Sequence, residues 1–232
     1  MPADARGGPA TKNAIRVTPG ATPRGEALRT PWKAVNELRR YALLPIARAY
    51  FAVHGVVWRP GWRIYGLPVI QRYRPSRIAI ADGLEMRNWF SANPLGITRP
   101  CLLATWAREA EIVIGANAAM SGATICAQER IELGARVVIG ANSTIVDTDF
   151  HGLEPGRRFE PGIAAPVVIE DDVFIGTQVL VLKGARIGRG AVIGAGSVVA
   201  GEIPPGMVAA GNPARVIRPV ALSAGGPPIP RP

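Results

Sequence analysis

Acidic residues are scarce at the start of this sequence. Residues 1–78 hold three Asp/Glu against fourteen Lys/Arg, a balance of +11, whereas residues 79–232 hold fourteen against thirteen. The whole net charge of +10 therefore sits at one end. That excludes a basic groove for nucleic acid along the rest of the chain. It implies an amino-terminal arm that meets an anionic surface, a membrane leaflet or a polymer. Cysteine is nearly absent, with Cys101 and Cys126 alone, so no disulfide framework holds the fold. Histidine is as rare, with His54 and His151 alone, which leaves no set of imidazoles for a metal. Aromatics make up only 6%, which suits a narrow interior filled by Val and Ile. The most apolar early stretch, 41–57, is too short and too charged to span a bilayer. Residues 1–29 lack signal-peptide order, so a cytoplasmic location is expected.

What is abundant is a period of six. From Ile169 the steps are Ile175, Val181, Ile187, Ile193 and Val199, all branched aliphatics. Four places after each lead residue come Val173, Val179, Ala185, Ala191, Ser197 and Ile203, mostly small or β-branched. Neither the 3.6-residue helix nor the two-residue strand produces such a spacing. It is the signature of a hexapeptide β-helix. Each six-residue step makes one flat side and one corner. The lead side chain points into a prism and stacks on its equivalents, because no single hexad buries its own apolar face. Gly and Asn near corners tolerate positive φ, which is the first reading of Asn117 and Asn142.

The fold class expected is mainly β, with an N-terminal helical segment and disordered tails. Residues 1–30 read as a disordered basic tail. A helical arm spans 31–56, with Thr30 as N-cap, Pro31 at the first position and Pro45 as a kink. It packs on the prism or across a subunit boundary, or it lies on a membrane surface. Residues 57–218 form the β-helix, opening with irregular coils and an excursion at 89–100. Register returns at Ile114, Met120 and Cys126, which makes Cys126 an interior residue rather than a nucleophile. After one inserted residue it continues at Leu133, Ile139 and Ile145. A loop at 146–166 interrupts it, and residues 219–232 are a Pro-rich tail.

That loop carries Asp147-Thr-Asp149-Phe-His151. Imidazole titrates near neutrality and is the natural general base for a hydroxyl or amine. Asp147 and Asp149 can orient His151 or bind sugar hydroxyls. A metal reading of this cluster lacks ligands.

Several strings then stand in one order: Ile139-Gly-Ala-Asn through His151, Pro166-Val-Val-Ile through Gly176-Thr177, Ile193-Gly-Ala-Gly, and Pro204-Pro-Gly through Gly211-Asn-Pro-Ala-Arg215-Val-Ile-Arg218. Over about 112–218 the chain resembles the hexapeptide-repeat acyltransferases, in the branch of the galactoside, maltose and polysaccharide O-acetyltransferases. The resemblance implies a left-handed parallel β-helix, a homotrimer, and sites between neighbouring prisms along which acetyl-CoA lies. It implies that His151 deprotonates a sugar or glycan acceptor, which attacks the thioester directly. Thr177, Ala195, Lys183, Arg215 and Arg218 match positions beside the coenzyme. Ala200 and Gly201 stand where galactoside acetyltransferases have Thr-Lys, so a cation is missing there. The family's acceptor-binding asparagine is replaced at 119–122, where Ser121 is a weak substitute.

The function expected is acetyl-CoA-dependent O-acetylation in polysaccharide biosynthesis, with no metal and with contact to the inner membrane face through 31–56. Alternatives are N-acylation of an amino sugar or small amine, and a silent trimeric scaffold at a membrane. A γ-type carbonic anhydrase shares the fold but needs three histidines, and only His151 lies within the repeats.

Overall fold

The computed structural model describes residues 30–221. Of the expected tails at 1–30 and 219–232, residues 1–29 and 222–232 lie outside the described residues, and Pro219 ends a strand instead. Short strands form three walls. The first wall stacks Arg63–Tyr65, Glu85–Arg87, Ala119–Ser121, Val138–Ile139, Phe174–Ile175, Val192–Ile193 and Met207–Gly211. The second stacks Val69–Arg72, Leu102–Thr105, Thr124–Ala127, Thr144–Val146, Leu180–Val181 and Val198–Val199. The third stacks Arg77–Ile80, Glu111–Ile114, Arg130–Leu133, Val167–Ile169, Arg186–Ile187 and Glu202–Ile203. Neighbours in a wall run parallel, and the chain visits the walls in rotation, so this is a three-walled parallel β-helix. Ala214–Pro219 turns back antiparallel on Met207–Gly211 and closes the first wall.

The register explains the period of six. Ile169 lies opposite Ile187, Ile175 opposite Ile193, and Val181 opposite Val199. Three hexads make one coil, and all six side chains are fully buried. Ser197 is tolerated inside because its hydroxyl donates to the Gly194 carbonyl (2.6 Å) and accepts from the Gly211 amide (3.1 Å).

Two expected positions differ. Ile125, not Cys126, stacks beneath Ile145, and Cys126 lies opposite Val146 on the outer face of the second wall. The corner at Gly122 is one residue short, so the inward position falls on the preceding apolar residue. Cys126 is still buried, packed with Ala104 and Val146. Burial and the nearby Asp147 charge push its thiol up to about 11, and burial does the same to Cys101. Neither supplies a thiolate at neutral pH. Ile203 lies opposite Ile187 and is therefore a lead residue of a shortened coil, not a corner residue.

The amino-terminal helix, α1, spans Pro31–Val53 and runs uninterrupted through Pro45. Thr30 precedes it but makes no side-chain capping bond. Its inward face is polar in the first half. Asn36 donates to the Ser91 carbonyl (3.0 Å). Glu37 accepts from Arg40 (2.7 Å), Arg63 (2.9 Å) and the Tyr65 hydroxyl. Burial raises the Glu37 pKa, but these bonds outweigh it and hold the carboxyl below its usual range. Burial and the bond to Glu37 push the Tyr65 phenol up to about 12. In the second half Phe51 joins Val56 and Trp62 at the start of the prism core.

Candidate functional site

A groove of about 530 Å³ runs along the first wall and its corner with the second. Its floor is narrow because glycines stack there. A Cβ on Gly140 would stand 2.5 Å from the Gly176 carbonyl carbon, and one on Gly176 would stand 2.6 Å from the Ala195 amide. No side chain fits between these coils, so the corner stays flat and open to a slender ligand. Thr177 and Ala195 line it, with the Thr177 hydroxyl donating to the Ala141 carbonyl (2.7 Å). The other end is polar. Ser121 lies there with Asn93, whose amide donates to the Ser121 hydroxyl (3.0 Å), and with the ion pair of Arg87 and Glu85 (2.7 Å). Sequence reasoning missed Asn93, which comes from the excursion at 89–100. Its partner lies 28 residues away, and no periodicity announces it.

Arg215 and Arg218 stand on the closing strand of the same first wall, paired with Ala210 and Val208. Both are exposed, and among the described residues their guanidinium groups bond adjacent backbone carbonyls. They remain available to a polyanion.

His151 lies elsewhere, on the flap at 147–166 that leaves the corner between the second and third walls. The flap folds on itself as an antiparallel hairpin. Thr148 bridges Ala164, His151 bridges Pro161, and the Asp149 amide donates to the Ile163 carbonyl (3.1 Å). Gly162 is required by close approach: a Cβ there would stand 2.8 Å from the His151 amide nitrogen. The imidazole is exposed, and its Nδ1 lies 2.9 Å from the Arg158 carbonyl. A carbonyl only accepts, so Nδ1 carries a proton, and in the neutral ring Nε2 is the nitrogen with the lone pair. That is the tautomer a general base at Nε2 needs.

Asp147 differs from the expected role in binding sugar hydroxyls. It is fully buried, and its carboxylate accepts from the Gln128 (2.7 Å) and Glu129 (2.8 Å) amides. It fixes the root of the flap and presents nothing to a substrate. Asp149 is half-buried and paired with Lys183 (2.6 Å). Lys183, expected beside the coenzyme or exposed on a wall, therefore tethers the flap to the column. Ala200 and Gly201 are exposed and lie at this same corner, between Val198–Val199 and Glu202–Ile203.

The sequence-predicted site residues thus divide between two corners. Ser121, Thr177 and Ala195 border the groove at one end of the second wall, and His151, Asp149, Lys183, Ala200 and Gly201 lie at the other. A larger cleft, about 680 Å³, opens beside Arg59, Arg72 and Arg77, but none of the predicted residues lines it. Among the described residues no cluster of three His, Cys, Asp or Glu is placed to hold a metal.

Comparison with known proteins bears on this geometry. Residues 166–201 match the family described as bacterial transferase hexapeptide (six repeats), whose repeat builds the left-handed form of the β-helix. A 2,3,4,5-tetrahydropyridine-2,6-dicarboxylate N-acetyltransferase of Brevibacillus brevis is 54% identical over 59 residues, 25% of each chain. The corresponding Staphylococcus aureus enzyme is 44% identical over the same share. The chain spans a quarter of the length of these curated relatives. Among solved structures, AntD, an N-acyltransferase from Bacillus cereus in complex with dTDP and coenzyme A, matches with a TM-score of 0.53. It is 17% identical and covers 69% of this chain and 83% of its own. The polysialic acid O-acetyltransferase OatWY matches with a TM-score of 0.56 at 20% identity, over 75% of this chain and 78% of its own. The chain carries the bacterial transferase hexapeptide repeat, on the fold that these N-acyltransferase and O-acetyltransferase structures share.

Proposed function

We propose that this protein is a coenzyme A-dependent acetyltransferase that acts on a hydroxyl of a sugar or glycan, with His151 as general base. The observation that carries the reading is the placement of His151: it is exposed on the flap with Nδ1 2.9 Å from the Arg158 carbonyl, which leaves Nε2 as the acceptor of the neutral ring. His151 takes the acceptor's hydroxyl proton as the oxygen attacks the acetyl thioester carbonyl, and returns it to the departing sulfur. No acyl-enzyme is needed, and neither buried cysteine is suited to form one. The flat Gly/Ala floor beside Thr177 and Ala195 suits the coenzyme's narrow arm. Arg215 and Arg218 on the same wall suit its phosphates. The polar end at Asn93 and Ser121 suits a hydroxylated acceptor. Lys183, bound to Asp149, acts by steadying the flap rather than by touching the coenzyme.

The division of these residues between two corners supports a homotrimer with its sites between chains. The flap exposes Leu153, Phe159 and Ile163, apolar side chains that a neighbouring prism would cover. One chain would lend its flap, and the next its groove.

A second reading, N-acetylation of an amino sugar, is favoured by the N-acyltransferases among the similar proteins. The test is purified protein with acetyl-CoA and a panel of sugars, nucleotide-sugars and small amines, read by thiol release. Thiol release with hydroxyl acceptors supports the first reading, and release only with amines supports the second. In either case His151→Ala lowers turnover by about a hundredfold or more with the oligomer intact. Full activity in that variant removes His151 from the mechanism. Saturating acetyl-CoA also raises the melting temperature; no shift favours a silent scaffold.

A further inference from the structure

The first half of the amino-terminal helix is arranged opposite to an ordinary surface helix, while its second half buries Ala47 and Phe51. An ordinary surface helix turns its apolar stripe inward and its charges outward. Here Asn36 and Arg40 are buried against the column, and Glu37 is bonded there by Arg40, Arg63 and Tyr65. The opposite face carries Val35, Leu38, Ala42, Pro45, Ile46, Ala49 and Val53, all exposed. Leu38 is 72% exposed, Val53 71% and Ile46 57%. At 1.5 Å per residue the stripe, from Val35 to Val53, runs along about 27 Å of helix. Trp32 and Tyr41, also exposed, stand at its margins, and such half-polar rings favour a boundary between water and hydrocarbon.

The charges around the stripe select among occupants. Lys33, Arg39 and Arg48 are exposed, and the one acid of the helix, Glu37, is turned inward. A second copy of the helix laid on this face would bring cations against cations with no carboxylate to pair them. An anionic lipid surface meets both features, since it takes apolar side chains at the acyl boundary and attracts each cation. The further positive charge of residues 1–29, five Lys/Arg against two Asp/Glu, enters the chain immediately before the helix. No helix among the described residues is long and apolar enough to cross a membrane.

We propose that α1 docks the protein on an anionic bilayer, lying flat with Leu38, Ile46 and Val53 at the acyl boundary and Arg39 and Arg48 at the headgroups. This docking is independent of the acetyltransferase reading, and a failure of either leaves the other standing. The experiment is flotation of the full chain with vesicles of phosphatidylcholine plus phosphatidylglycerol, against phosphatidylcholine alone. The wild type is expected to float with the mixed vesicles and far less with the neutral ones. Leu38→Glu combined with Ile46→Glu is expected to weaken binding by about tenfold or more, with the β-helix melting transition unchanged. Arg39→Gln and Arg48→Gln are expected to cost about fivefold each, the equivalent of about 1 kcal/mol per cation. No flotation of the wild type, or equal flotation of the Leu38/Ile46 variant, overturns the proposal. A Leu38/Ile46 variant that loses its oligomeric state overturns it too, and assigns the face to contact between copies.

Discussion

The excursion at 89–100 lies down on its own column, whereas the flap at 147–166 stands away from its own. Thr98 donates through its amide (2.9 Å) and hydroxyl (3.1 Å) to the Asn142 side chain, and Asn142 donates back to the Gly96 carbonyl (3.3 Å). Arg99 reaches the Asn142 carbonyl (3.1 Å) and the Thr144 hydroxyl (3.0 Å). The flap instead is tied to the column at its root, through Asp147, Thr148 and Lys183, bonds to itself beyond that, and leaves Phe159 fully exposed. They interrupt different coils, the excursion between Glu85–Arg87 and Leu102–Thr105 and the flap between Thr144–Val146 and Val167–Ile169, and only the excursion completes its own surface. An insertion that finishes a groove is pinned by that groove. On the proposed function, the flap carries a base to another chain and keeps an apolar face free for it.

The contrast is open to direct attack. Asn142→Ala removes three bonds that hold the excursion and places alanine at a φ of 62°. It is expected to lower chain stability by about 1–2 kcal/mol, read by denaturant unfolding. An unchanged midpoint would mean that the excursion is not pinned. The Glu37 carboxyl has a depressed pKa in the folded state, so its contribution is present above the unfolded value and is lost as pH falls through the folded one. Hydrogen exchange in α1 is therefore expected to rise on acidification below the ordinary glutamate range. Glu37→Gln should exchange faster at neutral pH and show a smaller acid step; an identical profile would detach α1 from this clamp. Phe159→Ser is expected to change chain stability by less than about 0.5 kcal/mol, as for an exposed site, while weakening assembly. A large loss of chain stability would show that the flap serves its own column after all.

The regular coils were legible because their chemistry is repetitive. Each lead position from Ile169 to Val199 faces the same dry interior, so the same residue type returns every six places. Asn117 and Asn142 read as corner residues, and both have positive φ. Where corners shorten, the reading slipped. Ile125 and Cys126 are adjacent and both apolar, and nothing local says which points inward. Asp147 reads as a residue that orients His151 or binds sugar hydroxyls because it stands near His151 in sequence, but its role is set by two amides on the preceding coil. Asn93 was invisible because its place comes from a tertiary contact with Ser121, not from a repeat.

The central claim is that one catalytic site draws His151 from one chain and the groove from the next. Mixing measures it most directly. His151→Ala chains and Ala195→Trp chains, each inactive alone, are unfolded together and reassembled. In a random trimer a site takes an intact flap from one parent and an intact groove from the other about one time in four, so roughly a quarter of wild-type turnover should return. No recovery in mixed trimers whose composition is verified by mass would place both halves of the site within a single chain and contradict the account.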